Sequence, residues 1–150
     1  MPAILLDYKV SQPSNGMPGG VLPGDIPLPL LTSDPDVEIL LADIGLFLSS
    51  GAPNRVELSM TLGLAHPSND VLAIRIAFIR DGDVIWVGTH DLEGVGDFET
   101  EELHLITTEG ADFDVSEGFH VYECRLSYAG TGVIEITGPI TFSGAAYAMT

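Results

Sequence analysis

Hydrophobic and polar residues alternate along much of this chain with a period of two. The clearest case is the segment 55–64, where every second residue is apolar and most residues between are polar. One face of this segment carries Val56, Leu58, Met60, Leu62 and Leu64. Strict alternation is typical of a β-strand with one buried face, so the segment is predicted to be a half-buried strand.

Turn residues separate several similar segments. Strands are predicted at Val71–Arg80, Asp83–Val87, Leu103–Thr107, Phe119–Tyr128, Val133–Thr137 and Ile140–Met149. Asp81 and Gly82 lie between the first two, and a two-residue Asp-Gly connection predicts a tight hairpin. Val37–Ser49 is apolar along most of its length. A strand is favoured there, with a helix as the alternative.

About eight strands at a spacing near ten residues predict an all-β fold, an antiparallel β-sandwich or jelly roll. The N-terminal leader needs a separate explanation. It contains two apolar runs, Ala3–Val10 and Ile26–Leu31, and the stretch between them is rich in Pro, Gly, Ser and Asn. A leader this apolar is unlike a disordered tail, yet an isolated strand or hairpin is only marginally stable in water.

We therefore expect the leader to dock on a sheet, and predict an N-terminal connector arm at residues 1–31 and a jelly-roll domain at 32–150. The arm either pairs within its own domain or adds to an open sheet edge of a neighbouring copy. In the second case main-chain hydrogen bonds supply affinity and alternate side chains fill pockets. Such a head-to-tail contact generates rings or filaments of identical subunits.

The residues predicted to form the subunit interface come from the leader and from the small-residue C-terminal strand. They are Ile4, Leu6, Tyr8, Val10, Ile26, Leu28, Leu30, Gly144, Ala146 and Ala148. Small side chains in the last strand are expected to let another strand or sheet approach closely.

The charge of the chain limits the classes of partner that it can bind. The 22 acidic residues against five basic ones give a formal charge of −17, which disfavours nucleic acid and anionic membranes as partners. No apolar run reaches the roughly 18–20 residues of a membrane span. The N-terminus lacks the basic and long apolar regions of a secretory signal peptide.

The candidate reactive residues form no recognisable catalytic constellation, so the chain is predicted not to be an enzyme. The single cysteine, Cys124, excludes an intrachain disulfide and is predicted to be a buried thiol. The four histidines are not spaced as metal pairs. Carboxylates that can offer oxygen ligands to Ca²⁺ are Asp91, Glu93, Asp97, Glu99, Glu101 and Glu102. Because no calcium-loop motif is present, a solvated acidic segment is favoured and no cofactor is predicted.

Three stretches resemble the small jelly-roll proteins of bacterial spore surfaces, of the exosporium protein C type. They are NRVELSMTLGL, FIRDGDVIW and GFHVYECRLSYAG followed by ITGPITFSGAAYA. The resemblance implies a structural subunit of a spore or other extracellular surface, made without a signal peptide. Spore appendage subunits of the best-known kind carry cysteine pairs that this leader lacks, so assembly here is expected to be non-covalent.

A carbohydrate-binding, lectin-like module is the alternative function. Trp86, Tyr122, Tyr128 and Tyr147 are the aromatic residues that can build a sugar-stacking platform, although Trp86 is expected to lie in the core. A glycan is therefore the alternative partner to a second copy of the chain.

Overall fold

The computed structural model describes residues 2–17, 19–67, 71–93, 101–130 and 132–149. Eight long strands dominate the described ranges. They are β1 (Ala3–Ser14), β5 (Ile39–Leu48), β6 (Asn54–Pro67), β7 (Val71–Arg80), β8 (Asp83–Glu93), β9 (Glu101–Phe113), β10 (Gly118–Gly130) and β11 (Ile134–Met149). Three short strands lie between the first two: β2 (Val21–Leu22), β3 (Ile26–Pro27) and β4 (Leu30–Thr32).

The long strands form two four-stranded antiparallel layers. One sheet has the order β1-β11-β6-β9, and β4 also pairs with β11; the other has the order β5-β10-β7-β8. Strands adjacent in sequence thus often lie in opposite sheets, which is the strand order of a jelly roll. The prediction of an all-β jelly roll is confirmed.

The core lies between the inner faces of these sheets. Val56, Met60 and Leu62 of β6 are fully buried, as the alternation predicts, and so are Tyr122 and Leu126 of β10. The segment around Val37–Ser49 is strand β5, so the favoured strand interpretation is correct.

The hairpin between β7 and β8 also forms at the predicted residues. Asp81 and Gly82 have φ angles of 49° and 92°. Both lie in the left-handed region, which a two-residue hairpin turn of this kind requires.

Two elements differ from the sequence-based prediction. Val133–Thr137 and Ile140–Met149 are one continuous strand, β11, whose register shifts between Ile136 and Ile140. The Gly-Pro pair at 138–139 forms a bulge in a strand rather than a break between strands. In addition, the acidic region Gly88–Gly118 contributes long portions of β8 and β9. The local sequence did not predict these strand portions, because they are stabilised by hydrogen bonds to neighbouring strands and not by their own composition.

A polar network joins the two sheets beside the core. The guanidinium of Arg80 on β7 forms an ion pair with the carboxylate of Asp112 on β9. The buried hydroxyl of Tyr122 on β10 donates a hydrogen bond of 2.9 Å to the same carboxylate. Because the partners lie in different sheets, this network fixes the spacing of the sheets on the β7–β9 side.

Candidate functional site

The first candidate site is β1, the strand predicted to connect subunits. In the structure of the single chain it pairs antiparallel with β11 of the same chain, from Ala3 opposite Met149 to Ser14 opposite Ile140. It is an outer strand of its sheet. The first apolar run of the leader is thus a strand of the jelly-roll sheet in this structure. The predicted boundary between an arm at residues 1–31 and a domain at 32–150 stays a prediction.

A bulge in β1 divides the predicted interface residues between two faces. The register skips Leu6, so Ile4 opposes the core-facing Ala148, whereas Tyr8 opposes Ala145 on the outer face. Leu6 packs against the core. Tyr8 and Val10 are 54% and 49% exposed. The sequence pattern predicts one continuous face, but an inserted residue reverses the phase of a strand.

The second apolar run of the leader is anchored in its own domain. Leu28 is 7% exposed, and Leu30 packs against the core. Leu30 also lies opposite Ile136 in the β4–β11 pair. Ile26 is partly exposed at 38%. Contacts with the chain's own core therefore account for Leu28 and Leu30, which were predicted to face a neighbour.

The small residues of β11 lie against the chain's own core in this structure. Ala146 is fully buried and Ala148 is 7% exposed. A Cβ atom added at Gly144 would lie 2.6 Å from Cδ1 of Ile44, on the facing sheet of the same chain. In this structure the surface that approaches these small residues is the chain's own second sheet, and their place in a subunit interface stays a prediction. The residues that β11 turns outward are the alternate ones, such as Ser143, Ala145 and Tyr147.

Asp7 ties β1 to the opposite sheet. Its carboxylate accepts hydrogen bonds of 2.9 Å from the backbone N–H groups of Phe47 and Tyr8, and Lys9 lies 3.4 Å away. The hydrogen bond from Phe47 is the main cause that lowers the pKa of Asp7, against the opposing effect of burial. On the side away from β11, the charged side chain of Asp7 therefore holds β1, and the described residues form no second ladder there.

The second candidate site is a groove across the outer face of the β1-β11-β6-β9 sheet. Its volume is about 520 Å³. We call it the cross-strand groove, and it is lined by Tyr8, Glu57, Leu58, Ser59, Glu109, Gly110, Ala111, Ser143 and Ala145. Of this set only Tyr8 was predicted to be a site residue, and it was predicted to contact a neighbouring subunit.

Strand register explains why a groove forms there. The first row across the four strands is Tyr8, Ala145, Glu57 and Ala111; the second is Val10, Ser143, Ser59 and Glu109. Small side chains thus occupy both β11 positions, the β6 position of the second row and the β9 position of the first. The adjacent row carries larger side chains and borders the groove; we call it the wall, although its residues are not among those that line the groove. It consists of Leu5, Tyr147, Arg55 and Phe113.

The wall is held by local electrostatic contacts. Arg55 forms an ion pair of 3.1 Å with Glu57, and its guanidinium lies 5.3 Å from the centre of the Tyr147 ring. In the described ranges, the side chains of Ser59, Ser143 and Glu109 make no hydrogen bond to the protein. The groove therefore offers free hydroxyl and carboxylate groups beside aromatic rings.

The aromatic platform predicted for a lectin does not form from its four residues. Tyr122 and Tyr128 are buried at 0% and 4% exposure. Trp86 packs against Phe78, with ring centres 5.0 Å apart, and against the core. Only Tyr147 lies on an outer face, where it forms part of the groove wall. A period-two pattern does not distinguish a buried aromatic face from an exposed one.

The remaining reactive side chains lie in polar pairs or in the core. The Nε2 atoms of His66 and His104 are 2.9 Å apart. His120 contacts the carboxylate of Asp81 at 2.6 Å. Cys124 is buried, and burial raises the pKa of its thiol.

The described ranges contain no group of three or more side chains that could hold a metal ion. Of the calcium candidates, Asp97 and Glu99 lie outside the described residues, and so do the side chains of Glu93, Glu101 and Glu102. No helix in the described part of the chain is long and apolar enough to cross a membrane.

Comparison with known proteins gives weak structural similarities. No protein-family model matches the chain, and no curated protein matches it. Dimeric latent PorU from Porphyromonas gingivalis is similar over 95% of this chain and 12% of its own, with 8% identity and a TM-score of 0.48. The VP2 subviral particle of infectious bursal disease virus is similar over 95% and 32%, with 11% identity and a TM-score of 0.47. The chain thus spans less than a third of either structure's chain, and its fold assignment rests on its own strand order.

Proposed function

We propose that this chain is a non-enzymatic, self-assembling structural subunit of a layer or filament on a spore or cell surface. In this proposal β1 of one subunit pairs with β11 of a neighbour. The resemblance of its strand sequences to spore-surface jelly rolls is the reason for naming a spore. The observation that carries the proposal is an apolar outer strand, most of whose large side chains are exposed.

The strand β1 is attached to its own domain by one ladder with two register shifts, by the hydrogen bond between Asp7 and Phe47, and by few buried side chains. Ile4, Leu5 and Tyr8 are all more than half exposed. Ser14 is buried at the end of the strand. Since β1 gains little from the core of its own domain, its ladder to β11 provides most of its binding energy.

Exchange between subunits preserves that ladder. A strand donated by a neighbour makes the same hydrogen bonds to β11 as the chain's own strand. The free energies of the exchanged and unexchanged forms therefore differ only through the conformation of the connecting segment and the entropic cost of association. Leu22 is 2% exposed, which anchors the chain directly after the connection. The connecting residues 15–20 extend at most about 20 Å, so the acceptor must be an adjacent subunit.

Cysteine cross-linking distinguishes exchange from pairing within one chain. Val10 lies opposite Ser143, so the Val10→Cys/Ser143→Cys variant is oxidised after assembly and run on a non-reducing gel. Exchange gives covalent oligomers, whereas pairing within the chain gives monomers. Thr61→Cys/Thr107→Cys is the matched control, because β6 and β9 pair at these positions and should give monomers.

Electron microscopy of the same samples tests assembly itself. Filaments or rings from the wild-type protein are expected. If assemblies form but the oxidised Val10→Cys/Ser143→Cys chains run as monomers on the gel, strand exchange is contradicted, whereas the role as a structural subunit is not. Monodisperse particles at all concentrations contradict the whole proposal.

A further inference from the structure

We infer that the cross-strand groove is a binding site for a neutral, linear polysaccharide of flat equatorial sugar rings. A β-linked glucan and a polymer of N-acetylglucosamine share this chemistry. The inference goes beyond the structural role proposed above, and concerns a surface that remains available whether β1 is donated by the same chain or by a neighbour.

The dimensions of the groove suit an extended chain. It crosses four strands, and three spacings of about 4.8 Å give a length of roughly 14 Å. Its volume of about 520 Å³ lies within the range of small-molecule sites, about 300–1,000 Å³. A short run of sugar rings therefore fits over the small side chains Ala145, Ser143, Ser59 and Ala111.

One aromatic ring lines the groove, and two more stand in the bordering row, from which they can extend a stacking surface for sugars. Tyr8 stands at the β1 end and is 54% exposed. Phe113 stands on the wall at the β9 end and is 65% exposed, and Tyr147 lies on the wall between them. Rings that offer a large, rigid apolar face at low entropic cost suit the C–H face of a pyranose.

The polar groups between the rings complement sugar hydroxyls. Ser59 and Ser143 can donate or accept hydrogen bonds, and the carboxylate of Glu109 accepts them. Hydrogen bonds to a carboxylate are stronger than those between neutral groups. Glu57 adds a second carboxylate, and with a net charge of −17 the site disfavours uronic acids and phosphorylated glycans.

The orientation of the groove argues against a peptide ligand. An extended peptide gains most of its affinity from main-chain hydrogen bonds to the edge of a sheet. This groove runs across the face of a sheet, where the β11 and β6 backbones are already paired on both sides. Its ligand must be recognised through side chains alone, as sugars are.

Isothermal titration calorimetry of the full chain tests the inference. The probes are the β-1,4-linked hexamers of glucose and of N-acetylglucosamine, used separately to distinguish the two sources. Tyr8→Ala is expected to weaken binding at least tenfold, and Ser143→Trp to abolish it by filling the groove. Glu109→Gln, an exposed and nearly isosteric change, is expected to weaken binding severalfold without affecting the fold.

Phe47→Ala is the matched control, because Phe47 lies on the other sheet and is 52% exposed. It should leave the affinity unchanged. The inference is overturned if neither hexamer binds at millimolar concentration, or if Tyr8→Ala and Glu109→Gln bind as the wild-type protein does. Binding without assembly would contradict only the proposed structural role, and assembly without binding only this inference.

Discussion

The carboxylate of Asp7 on β1 accepts a hydrogen bond of 2.9 Å from the backbone N–H of Phe47 on β5. These two strands are outer strands of different sheets, so the bond joins the layers along one open side of the sandwich. An unpaired N–H on an outer strand is a template for pairing with another chain. Asp7 therefore both holds β1 and protects this position of β5.

Replacing Asp7 should loosen β1. We expect Asp7→Ala to lower the free energy of unfolding at pH 7 by about 1–2 kcal/mol, since a hydrogen bond to a charged group contributes about that much at a partly exposed site. Urea denaturation followed by circular dichroism measures the change. The same variant should assemble less, because a donated β1 uses the same contact.

The effect of Asp7 should also depend on pH. The hydrogen bond from Phe47, its largest cause, lowers the pKa of Asp7 in the folded protein. The stabilisation is therefore fully present above the unfolded-state pKa of about 3.9 and is lost as the pH falls through the lower folded-state value. The difference in unfolding free energy between wild type and Asp7→Ala should close in that acidic range. Asp43→Ala, an exposed change on β5, is the control and should leave the free energy of unfolding at pH 7 nearly unchanged.

Two glycines should respond differently to the same substitution. A Cβ at Gly63 would lie 2.1 Å from the carbonyl oxygen of Gly138, whereas a Cβ at Gly144 would meet the ends of flexible side chains at 2.6 Å or more. Backbone at the β11 bulge cannot move aside easily, so Gly63→Ala is expected to cost about 3 kcal/mol and Gly144→Ala about 1 kcal/mol. Equal unfolding free energies for the two variants would contradict this account of the bulge.

In the network of Arg80, Asp112 and Tyr122, loss of the arginine should destabilise the protein more than loss of the tyrosine hydroxyl. Arg80→Met leaves the buried carboxylate of Asp112 without its counter-charge and is expected to cost about 3–5 kcal/mol. Tyr122→Phe removes one hydrogen bond and should cost about 1–2 kcal/mol. If Tyr122→Phe proved the more damaging variant in chemical denaturation, Arg80 would not be the main partner of the carboxylate.

The turn at Asp81 gives a further prediction. Burial acts to raise the pKa of Asp81, but hydrogen bonds from His120 and from Val121 N–H outweigh it, and the net pKa is lowered. Asp81→Asn tolerates the positive φ of this position and keeps an acceptor for Val121. We expect a loss of about 1 kcal/mol at pH 6, which shrinks as the pH falls through the lowered pKa. A loss that persists at pH 2 would point to the turn geometry rather than to the charge.

Local chemistry allowed much of the fold to be predicted. Alternation in Arg55–Leu64 and the positive φ required at Asp81 and Gly82 are properties of neighbouring residues, so both features were correctly predicted. The bulges were not. The one in β1 reversed the phase of Tyr8 relative to Ile4, and the one in β11 joined two predicted strands, because both depend on the partner strand.

The sequence alone determined that this chain is built of strands with one buried face, since a period of two is a local property of the backbone. Only the tertiary structure decided which face of β11 turns outward, and that β1 pairs with β11. It also created the cross-strand groove. That groove needs Tyr8, Glu57, Ala111 and Ala145 in one row, and residues so far apart in sequence become neighbours only through the register of four strands.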